Sequence, residues 1–214
     1  MTQWFLDFDD TLVVGPITWA FQHAFPTLIH DHRLPYETQK FEEAVLWGQE
    51  KSAEDGNELM ILLRVFDMMG WPHSLSDELR HMVFEKYVPT LFDDTLAFLE
   101  RIKDEPIYIL SNNNHAPELA AQLGIYDYFQ GIFTPSICGD VRKKPQRDMW
   151  DYVLAQGITT DDAIVVGDDP WSEGTFAEHC SIRVCIIDRM RRFRALYDQY
   201  DYQWVNSLNN ILSE

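Results

Sequence analysis

Short runs of consecutive apolar residues alternate with amphipathic stretches along most of this chain. Trp4 to Phe8 (apart from Asp7), Pro106 to Leu110, Gly131 to Thr134, Ala163 to Gly167 and, after its first residue, Arg183 to Ile187 are such runs. Apolar segments of this length, bounded by polar turns, are expected of strands covered on both faces. The stretches between them carry apolar residues at helical spacing. Helices are predicted from Asp93 or Asp94 through Ile102, from Asn114 to Leu123-Gly124, from Pro145 to about Ala155 and from Ser172 to Cys180. A weaker last unit runs from Tyr202 to Leu212. Strands alternating with helices predict an α/β fold, a doubly wound parallel sheet with helices on both faces.

Residues 15–90 break that alternation. Ile17, Ala20, Phe21, Ala24 and Phe25 recur at helical spacing, and Pro26 is expected to kink or end that helix, since it removes a backbone donor. A second helix is predicted over Tyr36 to Glu50. A third carries Leu59, Leu62, Leu63, Phe66 and Met69 on one face, and a fourth runs from Ser76 to about Tyr87. The expected organisation is therefore an α/β core built from residues 1–14 and 91–214, with an all-helical insertion over 15–90. An insertion directly after the first strand is expected to sit over that strand's end like a lid.

The first strand runs straight into Asp7-Phe8-Asp9-Asp10-Thr11. Asp is a poor strand former and costly to bury unpaired, so these carboxylates need a divalent cation, a Lys, or both. Read alone, Asp9, Asp10 and Thr11 could simply end the strand and cap a helix. Two further strands also end in polar clusters, Ser111-Asn112-Asn113-Asn114 and Asp168-Asp169. In open parallel sheets, ligands bind outside the carboxyl ends of the strands, so the three clusters are expected to converge. Lys143-Lys144-Pro145 lies between the second and third.

Together these groups suit phosphoryl transfer through an aspartyl phosphate. A nucleophilic Asp must approach an anionic phosphate, and Mg²⁺ serves there because it takes one or two carboxylates and keeps room for water and substrate oxygens. Asp7 and Asp168 are the expected carboxylates. A Lys and a Ser or Thr hydroxyl would hold the phosphoryl oxygens as they gain charge, and Asp9 would protonate the leaving alkoxide.

Bulk properties narrow the partners. The chain has 214 residues, 46% of them hydrophobic, a formal net charge of -18 and a pI near 4.6. That balance argues against a nucleic-acid binder or a protein of anionic membrane surfaces. No basic region followed by an apolar run marks a secretory signal, and no apolar run is long enough to span a bilayer. Cys138, Cys180 and Cys185 are odd in number and lack metal-like spacing, so free thiols of a cytoplasmic protein are expected.

The sequence resembles the haloacid dehalogenase (HAD) superfamily, in its phosphatase branch with a helical cap after the first strand. Asp7-Phe8-Asp9-Asp10-Thr11 matches the Asp-x-Asp-x-Thr motif, Ser111-Asn112 the Ser/Thr motif, Lys144-Pro145 the Lys motif, and Gly167-Asp168-Asp169 with Glu173 the acidic motif. The resemblance implies a Rossmann-like core, with Asp7 as nucleophile and Asp9 as general acid/base, lending its backbone carbonyl to Mg²⁺. It implies that Thr11, Ser111, Asn112 and Lys144 bind or orient phosphate and that Asp168 ligates Mg²⁺. One departure stands out: where the family often has a second Asp five residues after Asp168, this chain has Glu173, and Asp169 could share its role.

The expected function is a Mg²⁺-dependent phosphatase acting on a small phosphorylated metabolite. Asp9 argues for a phosphate ester, because halide leaves without a proton while an alkoxide needs one. The pattern of Trp47, Gly56, Arg64 and Phe66 is faintly similar to nucleoside 5′-monophosphate phosphatases of the superfamily, and a sugar phosphate is the other candidate. The insertion holds six Lys/Arg against twelve Asp/Glu, which disfavours a bisphosphate. The alternatives are a phosphomutase of the same superfamily, or a non-hydrolytic phospho-accepting signalling domain. Five of seven His residues lie in the insertion and read as surface or half-buried. The run Arg189, Arg191, Arg192 and Arg194 reads as a solvated basic face. A monomer or homodimer is expected.

Overall fold

The computed structural model describes residues 1–55 and 60–211. Gly56 and Leu59, which the sequence pattern singled out, and Leu212 lie outside them. The described elements run, in chain order, β1 (Gln3–Leu6), β2 (Val13–Val14), α1 (Pro16–Trp19), α2 (Phe25–His32), α3 (Thr38–Asp55), α4 (Met60–Met69), α5 (Ser74–Lys86) and β3 (Thr90–Leu91). They continue α6 (Thr95–Ile102), β4 (Ile107–Leu110), α7 (Ala116–Gln122), β5 (Gly131–Phe133), α8 (Asp148–Ala155), β6 (Ala163–Gly167), α9 (Thr175–Cys180), β7 (Arg183–Ile187) and β8 (Gln203–Val205). Two compact units result, one of residues 1–13 and 90–214, the other of residues 14–89.

In the first unit six strands form one sheet in the order β5-β4-β1-β6-β7-β8. Every neighbouring pair is parallel; β1 lies between β4 and β6, with Leu6 opposite Ile109 on one side and Val166 on the other. Alternation along β1 sends its side chains to both faces. Trp4 and Leu6 join Phe98, Ile102, Ile109 and Val166 in one core cluster, and Phe5 joins Tyr108, Trp150, Val165 and Phe176 in the other. Burial on both faces explains the continuous apolar runs. The chain builds β4 and β5 to one side of β1 and then crosses to build β6 on the other. That reversal opens a crevice at the carboxyl ends of β1 and β6.

The second unit has its own core, in which Phe25, Leu28, Leu62, Val65, Phe66, Trp71 and Leu79 are buried together. Of the two outcomes expected at Pro26, a kink or an end, the helical run does not end there. The residues Ala20–Ala24 widen by one residue per turn, with the Phe25 amide bonding the Ala20 carbonyl, and the chain stays helical into α2. The wider turn absorbs the donor that proline lacks. Other boundaries shift as well. The helix expected from Pro145 begins only at Asp148, and the one expected from Ser172 opens as a wide turn, Pro170–Gly174, before α9. Among the described residues no helix is long and apolar enough to cross a membrane.

Candidate active site

Asp7 is the residue at which β1 stops. Its amide still bonds the Val166 carbonyl at 2.8 Å, so its backbone is held by the sheet while its carboxylate leaves the strand end. The chain then turns tightly. The amides of Leu12 and Val13 both return to the Phe8 carbonyl (3.0 and 3.1 Å), and Asp10 takes a left-handed conformation (φ 58°) with its amide on Val13 O at 2.7 Å. Asp is among the few non-glycine residues that tolerate this conformation. The turn keeps Asp7, Asp9 and Thr11 at one end of the sheet.

The Asp7 carboxylate meets Lys144, whose Nζ donates to Asp7 Oδ1 at 2.7 Å and to the Leu110 carbonyl at 2.8 Å, and pairs with Glu173 Oε1 at 2.5 Å. The Lys144 and Glu173 side chains are essentially inaccessible. Burial alone would lower the ammonium's pKa, but Asp7 and Glu173 more than reverse this, and Lys144 is held protonated. Burial pushes the Asp7 carboxyl up; Lys144 opposes, while Glu173 and Asp9 add to the rise. One ammonium shared by two buried carboxylates leaves negative charge uncompensated.

Glu173 reaches Lys144 by crossing Gly167. A β-carbon at Gly167 would stand 2.1 Å from Glu173 Cγ, so only glycine leaves space for the longer side chain. The extra methylene of Glu relative to Asp is thus accommodated at the last residue of β6. Glu173 is further fixed by the Asp169 amide on Oε2 (3.1 Å) and the Ser172 hydroxyl on Oε1 (3.0 Å). Asp169 Oδ1 accepts from the amides of Trp171 and Ser172, capping the Pro170–Gly174 turn.

The end of β4 supplies three consecutive residues. Ser111 is buried, its amide on Phe133 O and its Oγ accepting from the Asn113 amide at 3.1 Å. Asn112 clamps the Lys144 peptide from both sides: its Oδ1 accepts from Lys144 N (2.8 Å) and its Nδ2 donates to Lys144 O (3.3 Å). Its side chain therefore acts on the lysine's backbone. Asn113, which sequence reasoning left as part of a polar run, donates from Nδ2 to Asp9 Oδ2 at 2.7 Å and accepts the His115 amide on Oδ1. It is the residue that aims Asp9, and the consecutive asparagines at a strand end were its only signal.

Asp168 closes the group from β6. Burial pushes its carboxyl up and the neighbouring Asp10 adds to this; Arg192 opposes, and Glu173 and Asp169 push again. Its partner is Arg192, with Nη2 on Oδ2 at 3.0 Å. The basic run is therefore not a solvated face throughout. Arg192 and Arg189 keep only 11% and 15% of their side chains exposed, while Arg191 and Arg194 are open to solvent. Arg189 binds both oxygens of Asp94 at 3.0 Å and the Thr11 carbonyl at 2.8 Å, and lies 3.8 Å from the Phe92 ring centroid. Asp94, with Asp93 one of the two residues expected to open α6, stands at its start but spends its carboxylate on Arg189, Ser207 Oγ and the Leu208 amide.

The donor set fits a hard divalent cation. It is all oxygen, from carboxylates on adjacent strand ends and from the turn between Asp7 and Thr11, and it is short of positive charge. Among the described residues no group of three or more His, Cys, Asp or Glu side chains forms a ready-made cage. Mg²⁺ does not need one, since it is commonly bound by one or two carboxylates with water and phosphate completing the shell.

A haloacid dehalogenase-like hydrolase family model matches residues 5–180, a span holding all four motifs. The chain belongs to that family. A search of curated proteins finds no match. Solved structures of the same fold include the HAD-type protein YfnB of Bacillus subtilis, bound to magnesium (16% identity, TM-score 0.65, 97% of this chain and 95% of that one). They also include a HAD phosphatase of Thermococcus onnurineus (17%, 0.58, 98% and 95%) and the L-2-haloacid dehalogenase of Xanthobacter autotrophicus (17%, 0.61, 98% and 96%). At these identities the likeness is one of fold. A phosphatase and a dehalogenase share it, so the reaction must be argued from the side chains of this HAD-family chain.

Proposed function

We propose that this HAD-family hydrolase is a Mg²⁺-dependent phosphatase that cleaves a small phosphomonoester through an aspartyl phosphate on Asp7. The observation that carries this reading is the placement of Asp9. It stands two residues beyond the Lys144-bound Asp7, its carboxylate held by Asn113 at 2.7 Å. A halide leaves without a proton, whereas the alkoxide of a phosphate ester needs one, and a second aimed carboxylate provides it.

Asp7 Oδ attacks phosphorus and the ester oxygen leaves with the proton held by Asp9. Asp9 then takes a proton from the water that attacks the phosphoryl-aspartate, which releases phosphate and regenerates Asp7. Lys144 follows the charge on the phosphoryl oxygens, and Asn112 enters by fixing the lysine's backbone. Thr11 Oγ1 is buried with no hydrogen-bond partner among the described residues, and Ser111 lies buried at the next strand end. A phosphoryl oxygen would satisfy that orphaned hydroxyl. Asp7, Asp168 and the Asp9 carbonyl would hold Mg²⁺, whose chemistry here is to offset the repulsion between an anionic phosphate and the surrounding carboxylates. A net charge of -18 suits a substrate with a neutral or modestly charged leaving group, such as a nucleoside monophosphate or a sugar phosphate.

A leaving-group series tests the reading. Asp9→Asn should slow hydrolysis most for alkyl phosphates and least for p-nitrophenyl phosphate, whose leaving group needs little protonation. Equal losses across the series, or release of halide from 2-chloropropionate by the wild type, would refute it.

A further inference from the structure

The loop after β7 carries Arg189 and Arg192, and the two are anchored differently. The forked end of Arg189 makes three hydrogen bonds and stacks on Phe92, and of its nitrogens Nε is buried with no hydrogen-bond partner among the described residues. Arg192 lies over the Phe193 ring at 5.3 Å but makes one hydrogen bond, to Asp168, while both its Nε and its Nη1 are buried with no hydrogen-bond partner among the described residues. A structural guanidinium–carboxylate pair usually engages the fork twice.

The single bond does not reflect a slack loop. Asp188, fully buried at the end of β7, accepts from the amides of Arg192 (2.7 Å) and Phe193 (2.8 Å) and from the Tyr197 hydroxyl (3.0 Å). Phe193 packs edge-on to Trp171, ring centroids 5.5 Å apart. The scaffold therefore delivers a guanidinium to one oxygen of Asp168 and leaves the rest of that group poorly satisfied.

We propose that Arg192 is a resident cation that occupies Asp168 and competes with the divalent metal for that carboxylate, so that metal entry releases the arginine. This rests on the reading of Asp168 as a metal ligand. A guanidinium on Oδ2 and a divalent ion on either oxygen of the same buried carboxylate repel each other at close range, and the weakly satisfied one is the one to move. The alternative is that Arg192 aligns Asp168 for the metal. The two make opposite predictions, because losing an aligning partner lowers metal affinity roughly 10- to 100-fold. Losing a competitor that held one charge-assisted hydrogen bond raises it about tenfold.

The test is a titration of the full chain with Mn²⁺, reading the free ion by electron paramagnetic resonance, with no turnover involved. Arg192→Gln should bind Mn²⁺ about tenfold tighter than wild type. Unchanged or weaker binding overturns the proposal. A second measurement needs no variant: in protein labelled with ¹⁵N-arginine, the Arg192 Nε–H signal should move and lose protection as Mg²⁺ saturates. A signal that stays in place at saturation overturns it too. Asp168→Asn separates the two levels of the argument. If it leaves Mn²⁺ affinity unchanged, the metal reading of Asp168 fails and the proposal with it. If it abolishes binding while Arg192→Gln gives no gain, the competition alone fails.

Discussion

The two flanks of the carboxylate cluster are built on opposite plans. Around Lys144 the charges are tied together: one buried ammonium binds Asp7, Glu173 and the Leu110 carbonyl, and Asn112 fixes the lysine's own peptide. Around Asp168 a buried carboxylate crowded by Asp10, Glu173 and Asp169 has one guanidinium bond against it. A saturated flank makes a fixed electrostatic frame. An under-compensated flank makes a place where a cation gains by binding. Fixed charge on one flank and an under-compensated carboxylate on the other suit the metal-assisted phosphoryl transfer proposed for this site.

Substitutions should expose that difference, beginning with chemistry. Asp7→Asn should lower turnover on the order of 10⁴-fold or more with the fold intact, since removing a nucleophile removes the step it performs. Residual activity near wild type, by steady-state kinetics, would break the assignment. Next, Lys144→Ala leaves Asp7 and Glu173 buried without their cation. Chemical denaturation should show a loss of about 3–5 kcal/mol. Asp168→Asn, measured in the same way without metal, should cost clearly less, because Asn keeps an acceptor for Arg192 while removing a charge crowded by Asp10, Glu173 and Asp169. Equal losses at the two positions would erase the contrast.

Mg²⁺ itself sharpens the comparison. At about 100 times its dissociation constant it should stabilise the wild type by about 2.7 kcal/mol, and Asp168→Asn should abolish most of that gain. Gly167→Ala tests the frame from its other side. A methyl there collides with the Glu173 side chain, and chemical denaturation should show a cost of about 1–3 kcal/mol.

The smallest effect concerns Asp94, away from the chemistry. Burial raises its pKa, but Arg189, Ser207 and the Leu208 amide together lower it further, so the net shift is downward. A carboxylate depressed in the folded state stabilises above its unfolded pKa, about 4, and loses that contribution as pH falls through the lower folded value. Asp94→Asn should therefore be less stable than wild type by about 1–3 kcal/mol near pH 7, with the gap shrinking below pH 4. A gap that is constant with pH would show that the carboxylate's charge contributes nothing.

The strands and the four charged motifs were legible because their signals are local. Ala163–Gly167 and Arg183–Ile187 begin and end where their apolar runs do, and Asp7, Ser111, Lys144 and Asp168 stand at strand ends or just before a helix. What the sequence hid depends on partners far away in the chain. Nothing near Asp94 shows that its carboxylate is taken by Arg189 rather than by the helix it precedes. Nothing near Arg192 shows that a residue in a basic run is buried against a carboxylate 24 positions earlier. Asn113 looks like its two neighbours, yet its side chain is bonded to the Asp9 carboxylate, 104 positions earlier. The doubt over Glu173 could be resolved only by seeing that the residue six positions earlier is a glycine lying beneath it. At Pro26 the local rule left a kink or an end open, and the widened turn that lets the helix continue is visible only in the structure.

The most direct test of the account is hydrolysis of p-nitrophenyl phosphate by the full chain, with Mg²⁺ and then with EDTA, beside Asp7→Asn. The account predicts turnover that requires Mg²⁺ and disappears in the mutant. Turnover that survives EDTA or Asp7→Asn would contradict it.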